Sequence, residues 1–285
     1  MMAEHDGHED RNLVLYFVIV FIWSGLSWLP LVLFSVSINE PLGFSLSSIG
    51  VFGPLASAFI LTYFNQGKDG VRRLLKRGVD RRFGKKWLIP IFLLFPALNG
   101  SAVLVATLTE KITVDMSWVS NLPSVILGNL FLFIFICVFA AGEEFGWRGY
   151  ALDRLQKRFN AIISSIVLGI IWWAWHIPAL GNLSSISGGQ TINVWVYLVT
   201  ILEFAVLLTW IYNNTNGSIL AVILFHTMFN MASYATIPIA NQIPTNSIPY
   251  YYSLIVLLTI AFAVTIVYGP KRLVRQRKKQ MEVKP

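Results

Sequence analysis

Apolar runs of about twenty residues, separated by short polar or charged stretches, recur along the whole 285-residue chain. A run of that length, helical at about 1.5 Å per residue, crosses the hydrocarbon core of a bilayer. The pattern predicts eight spans, roughly 13–36, 44–64, 87–108, 122–150, 160–180, 194–212, 218–238 and 249–268. The expected fold class is an all-α, polytopic transmembrane helix bundle forming one integral membrane domain over 1–285. No separate soluble domain stands out, and no internal repeat supports a transporter built from two similar halves.

Two stretches depart from this rhythm. Asn65–Lys86 sets Val71, Leu74, Leu75, Val79 and Phe83 among nine basic residues. Its spacing suits an amphipathic helix on the membrane surface, and a solvated loop remains open. The stretch around Gly181–Asn193 is polar, uncharged and rich in Ser and Gly, as expected of a loop on the far side.

Composition fits a membrane protein, with 55% hydrophobic and only 13% charged residues. The net charge of +8 raises the question of nucleic acid, but the positions of the charges answer it. Of the 22 Lys and Arg, nine lie in Lys68–Lys86, four in Arg148–Arg158 and seven after Gly269. That alternation across apolar spans is the positive-inside signature, not a nucleic-acid patch. It puts both termini in the cytoplasm, with Lys111 the only basic residue of an outside loop. Basic residues of the tail, Lys271, Arg272, Arg275, Arg277, Lys278 and Lys279, would anchor it to membrane lipid.

The N-terminus is acidic and lacks the basic start of a secretory signal, so the first run reads as a retained helix. His5 and His8 in that tail fit a solvated terminus better than a metal site. Cys137, the single cysteine, excludes an intramolecular disulfide and reads as a small buried hydrophobe.

Ionisable residues inside spans are costly and concentrate at functional sites. Here they are Glu143, Glu144 and Arg148 in span four, His176 in span five, Glu203 in span six and His226 in span seven. His176 lies about 24 Å along its helix from the basic side. Glutamates at the membrane surface could not reach it. If span four instead continues to Arg154, Lys157 and Arg158, Glu143 sits about 16–22 Å deep and His226 about 14 Å deep. The three become neighbours in depth.

Glu144 and Arg148, at i and i+4 with the acid first, form a favourable helical ion pair. Glu143 points elsewhere and is expected to stay unpaired, suited to accept and return a proton. His226 and Asn230 share one helix face and could both donate to one oxygen. Pro178 should loosen the helix just after His176. Glu203 has no nameable partner and reads as structure or cavity lining.

Glu143-Glu144-x-x-x-Arg148, then His176 with an aromatic residue four positions earlier, then His226-x-x-x-Asn230, resembles the CPBP intramembrane proteases. These include the type II CAAX prenyl endopeptidases and bacterial relatives linked to bacteriocin immunity. The resemblance spans about Leu122 to Ala235, the expected protease core (122–235). It departs at Trp172, where the family usually has phenylalanine.

The resemblance implies an intramembrane endopeptidase in a bacterial plasma membrane. Glu143 and His176 would activate water, and His226 and Asn230 would stabilise the oxyanion. Glu144 and Arg148 would support the site, at the bottom of a conical cavity open to the cytoplasm. The implied partner is a peptide or protein substrate, prenylated at a C-terminal Cys-a-a-X or a peptide precursor. No cofactor is favoured. Zinc on Glu143, His176 and His226 is the alternative, a metalloprotease arrangement, although His-Glu-x-x-His is absent and Asn230 is a poor zinc ligand. A non-proteolytic scaffold or immunity factor on the same fold, and a proton-coupled carrier, are the competing functions.

Overall fold

A computed structural model describes residues 2–110, 117–180, 193–234 and 247–275. Lys111, most of the loop at 181–193 and the tail after 275 lie outside the described residues, as do the side chains of His5 and His8. Everything regular among the described residues is helical. The helices are α1 (Met2–Leu33), α2 (Pro41–Val51), α3 (Gly53–Gly78), α4 (Leu88–Thr109), α5 (Leu122–Gly146), α6 (Asp153–Arg158), α7 (Ala161–His176), α8 (Val194–Asn214), α9 (Ile219–Tyr234) and α10 (Ile248–Tyr268). A π-helical turn, Trp147–Leu152, joins α5 to α6.

Each predicted span has a helical counterpart, though not all have spanning length. Six helical stretches are long and apolar enough to cross a membrane by themselves. The second predicted span is a pair, α2 and α3, bent by 42° where Gly53 and Pro54 open α3. Proline lacks the N–H that would continue the ladder across the joint. The seventh is short, with its apolar part at Ile219–Ala232. The fourth is the longest, continuous from Ser117 to Arg158, so the glutamates lie within it, as the depth argument requires.

The basic stretch after Asn65 is helical to Gly78. At Gly67, φ +64° and ψ −163° break α3 into a spanning part and an amphipathic part, a conformation glycine adopts without steric cost. The second part buries Gly70, Leu74 and Gly78, and leaves Leu75 and Val79 exposed. Of the two readings of this segment, the amphipathic helix holds to Gly78, and bends and turns follow.

The bundle inverts the usual soluble arrangement. The outer faces of α1, α5 and α10 expose Ile22, Leu26, Phe131, Ile134, Phe262 and Ile266, among others. Glu143, Glu144, Arg148, Glu203 and His226 are buried. This is the surface of an integral membrane protein: apolar atoms face lipid, and polar groups turn inward.

The charged segments collect at one end. Arg158 pairs with Asp10. Arg77 donates to Asp153 (2.8 Å) and to the carbonyls of Gly149 and Gly217. Tyr212 joins the same cluster, bonded to Arg77 and Asp153. Ser218 Oγ donates to the Asp80 carbonyl (2.7 Å), and the Asn213 amide donates to that of Arg272 (2.8 Å). The described parts of the three basic clusters, the buried Arg148 apart, therefore lie at one end of the bundle.

Candidate active site

The site is assembled by three packings: α5 against α9, α7 against α8, and the π turn against α7. Small residues on α5 set the distances. A Cβ at Gly146 would lie 2.5 Å from the Pro54 carbonyl oxygen and overlap Tyr16, and one at Gly142 would lie 2.9 Å from Phe52. Only glycine lets α1 and α3 approach this face. Burial changes sharply along the helix. Ile126, Phe131, Ile134 and Val138 are exposed, whereas Glu143 is 7% exposed and Glu144 and Arg148 are fully buried. The π turn begins one residue after Gly146, and its residues, Trp147 to Leu152, are all buried. Such turns recur at functional sites.

The expected Glu144–Arg148 pair is present, with Arg148 Nη1 donating to Glu144 Oε1 at 2.8 Å. Its role is wider than a strut. The same Oε1 accepts from His226 Nδ1 at 2.8 Å. Glu144 thus joins a guanidinium on the π turn to an imidazole on α9. The carboxylate can only accept, so Nδ1 carries the hydrogen, and Nε2 is left for other work. Arg148 is further held by the face of Trp172, 4.5 Å from the ring centroid.

Glu143 is not unpartnered. Its Oε2 accepts the indole N–H of Trp172 at 2.7 Å. Among the described residues Glu143 makes no ion pair, as the sequence predicts, but it is not free: a neutral donor holds one oxygen.

His176 is the last residue of α7. Its Nδ1 donates to the carbonyl of Trp172 at 2.8 Å, which leaves Nε2 with its lone pair when the ring is neutral. Trp175 and Tyr197 meet the ring edge-on, at 4.7 and 5.6 Å between centroids. Trp175 is pinned by donating to Ser24 Oγ (2.8 Å). The α-helix ends at His176, and a 3-10 turn, Ile177–Ala179, containing Pro178 follows; the sequence placed a break here but as a loosening, whereas the turn tightens.

Asn230 sits one turn beyond His226 on α9 and is half-buried. The neighbouring Phe229 ring is fixed by stacking on Phe204, 4.1 Å between centroids. Glu203 on α8 is buried, and neither of its carboxylate oxygens has a hydrogen-bond partner among the described residues. Cys137 is half-buried and takes a hydrogen bond from Thr227.

Glu143, Glu144, Arg148, Trp172, His176 and His226 therefore form one connected group, buried except for the half-buried His176. Sequence reasoning missed two of its links, Glu144 to His226 and Trp172 to Glu143. Only the second left a signal, an indole N–H in an apolar span that needs an acceptor. Among the described residues no three carboxylate, imidazole or thiol groups converge as a metal-holding set. Glu143, His176 and His226, the alternative zinc set, are not gathered as such a group, and no step below runs through a metal. Two hollows in the surface, one beside Phe131 and Phe135 and one beside Arg77 and Tyr212, do not border Glu143.

The fold and site define a class: a polytopic helix bundle with carboxylates and imidazoles gathered deep in its interior. The family described as type II CAAX prenyl endopeptidase Rce1-like matches residues 125–232, the stretch that builds the site. A protein of Methanococcus maripaludis named CAAX prenyl protease 2 is 28% identical over 241 residues, covering 77% of this chain and 83% of its own length. The segment that carries Glu143, Arg148, His176, His226 and Asn230 is thus similar to the type II CAAX prenyl endopeptidases.

Proposed function

We propose that the chain is an intramembrane endopeptidase, acting by a glutamate-activated water within a single membrane domain whose protease core spans about 122–235. The observation that carries the reading is the division of labour between adjacent glutamates. Glu144 is committed to Arg148 and His226 by two 2.8 Å contacts. Glu143 makes no ion pair and gives only one oxygen to Trp172, so its other oxygen is available to a water.

In this reading Glu143 takes a proton from water, with His176 Nε2 holding the water beside it. The hydroxide oxygen bonds to the substrate carbonyl carbon, and the carbonyl oxygen becomes an oxyanion. His226 Nε2–H and the Asn230 amide donate to that oxygen. The role requires an imidazolium at 226, which the Glu144 carboxylate at its Nδ1 supports. With both glutamates ionised, Arg148 and such an imidazolium leave the buried group neutral, the arrangement a low dielectric tolerates best. Glu143 then returns the proton to the amide nitrogen as the C–N bond breaks, releasing an acid and an amine.

The substrate proposed is a peptide or protein entering from the end that carries the basic clusters, through a conical cavity. That end is assigned to the cytoplasm by the positive-inside rule, with both termini there. A prenylated Cys-a-a-X tail and an unprenylated precursor peptide are the two candidates. The name of the Methanococcus relative, CAAX prenyl protease 2, favours the first.

The test is cleavage of a panel of prenylated and unprenylated peptides by purified wild type and Glu143→Ala, with and without phenanthroline. Cleavage by wild type only, indifferent to chelator, is expected. Loss with chelator and rescue by zinc would transfer the role to a metal. Equal cleavage by both proteins would remove Glu143 from the mechanism. A phenotype kept by Glu143→Ala in cells, with no cleavage, would indicate a scaffold.

A further inference from the structure

Trp172 touches four of the six residues that carry the motifs, each by a different part of itself. Its indole N–H donates to Glu143 Oε2 at 2.7 Å. Its ring face lies 4.5 Å beneath the Arg148 guanidinium. Its carbonyl oxygen accepts from His176 Nδ1 at 2.8 Å. Its ring meets the His226 imidazole edge-on at 5.5 Å. The side chain is 1% exposed, with no solvent to serve instead.

These contacts differ in what they need. The carbonyl is backbone, present whatever the side chain, and the stacking asks only for an aromatic ring. The bond to Glu143 asks for a donor that phenylalanine does not possess. Hydrogen bonds to an ionised acceptor are shorter and about twice as strong as neutral ones, and 2.7 Å is short for a nitrogen donor. A carboxylate with one oxygen held this way loses its rotation, and its second oxygen points in one direction.

We propose that Trp172 is a positioning residue for the Glu143 carboxylate, fixing through its indole N–H the orientation in which the other oxygen meets the attacking water. The proposal rests on the protease reading for its effect on rate, but the contact stands independently of it. It also explains why α5 and α7 must be held in fixed register, since the two partners are 29 residues apart.

The decisive substitution is Trp172→Phe, which keeps a ring under Arg148 and removes the donor. Two measurements follow it. On a cleaved peptide, kcat should fall about 10- to 100-fold, the usual cost of losing one bond to a charged group. KM should stay within about twofold, because the group lost acts on the water, not on the peptide. In protein labelled with ¹⁵N-tryptophan, the indole resonance missing from Trp172→Phe identifies residue 172. It should move upfield in Glu143→Ala and stay in place in Glu203→Gln, which alters a buried carboxylate elsewhere in the bundle.

Wild-type kcat in Trp172→Phe, or an indole resonance that ignores Glu143→Ala, would overturn the proposal. Should Trp172→Phe fail to fold, an indole resonance that moves in Glu143→Ala but not in Glu203→Gln still decides the contact, since Trp172 is the indole that donates to Glu143. If wild type cleaves no peptide, the protease reading fails separately. Movement of the resonance would then sustain the orientation of Glu143 by Trp172, and its absence would overturn it.

Discussion

The two adjacent glutamates give a direct comparison at the scale of single residues. Glu144 is fully buried with two cationic-type partners. Removing its charge leaves Arg148 unpaired in the interior, a loss of about 3–5 kcal/mol for a broken buried pair. Glu144→Gln should therefore lower the melting temperature in detergent by many degrees and abolish cleavage as well. Glu143→Ala loses one hydrogen bond and leaves the buried Trp172 N–H unpaired, about 1–3 kcal/mol, so it should abolish cleavage while melting closer to wild type than Glu144→Gln. A pair of thermal melts beside the cleavage assay separates the two roles. Similar losses of stability in both variants would refute the division of labour. At the membrane surface the balance is different. Asp80 accepts from the Arg82 backbone N–H and guanidinium at 2.9–3.0 Å, and the side-chain bond from Arg82 pulls its pKa down to about 2 from 3.8. A lowered folded value means that the stabilisation is complete above about pH 4 and is lost as the pH falls through 2. The carboxyl signal of Asp80 should titrate near pH 2 and move up in Arg82→Ala. Melting at pH 7 should barely change, because the guanidinium is 90% exposed and exposed pairs contribute little.

At the scale of elements, α5 shows what periodicity can and cannot reveal. The i, i+4 spacing of Glu144 and Arg148 was enough to predict their pairing, because both sit on one stretch of helix. The depth argument was enough to carry the span on to Arg158. Neither could give the Glu144–His226 contact, 82 residues apart, or that of Trp172 with Glu143. Those depend on which faces of α7 and α9 turn toward α5, and in uniformly apolar helices no polar stripe announces the face. The π turn was equally hidden, since its residues read as ordinary helix. Small residues do mark the packing. Gly146 faces the Pro54 carbonyl at a distance a methyl group cannot share, whereas Gly128, on the same helix, has nothing within 4 Å. Gly146→Ala should destabilise by about 1–3 kcal/mol through overpacking and depress cleavage, because the displaced turn holds Glu143 and Glu144. Gly128→Ala should be neutral or slightly stabilising, as expected of glycine replaced inside a helix. Equal melting of the two variants would show that the close approach of α5 and α3 is not a constraint.

For the molecule as a whole, the alternation of charge and hydropathy predicted the number of apolar segments and the grouping of the basic clusters. It gave less notice that the second segment is bent and the seventh short, because both depend on where helices break rather than on mean hydropathy. The gathered end makes sidedness testable as one property of the whole bundle. Asp10 with Arg158, Arg77 with Asp153, and the Asn213 amide with the Arg272 carbonyl are paired there. They cannot be divided between two faces of a membrane without breaking the fold. Glu110 lies at the far end of α4, where its carboxylate accepts from the Ile248 N–H at the start of α10. In a Cys137→Ser background, single cysteines at Arg81 and Lys271 should react with an impermeant maleimide only when the cytoplasmic face is exposed. One at Glu110 should react from the opposite face. The first two positions must always agree with each other, whichever way the protein inserts. Labelling of Arg81 and Lys271 from different sides would contradict the gathered end itself. Labelling of both from the outside would keep the bundle but invert it, and the substrate would then have to reach Glu143 from outside the cell.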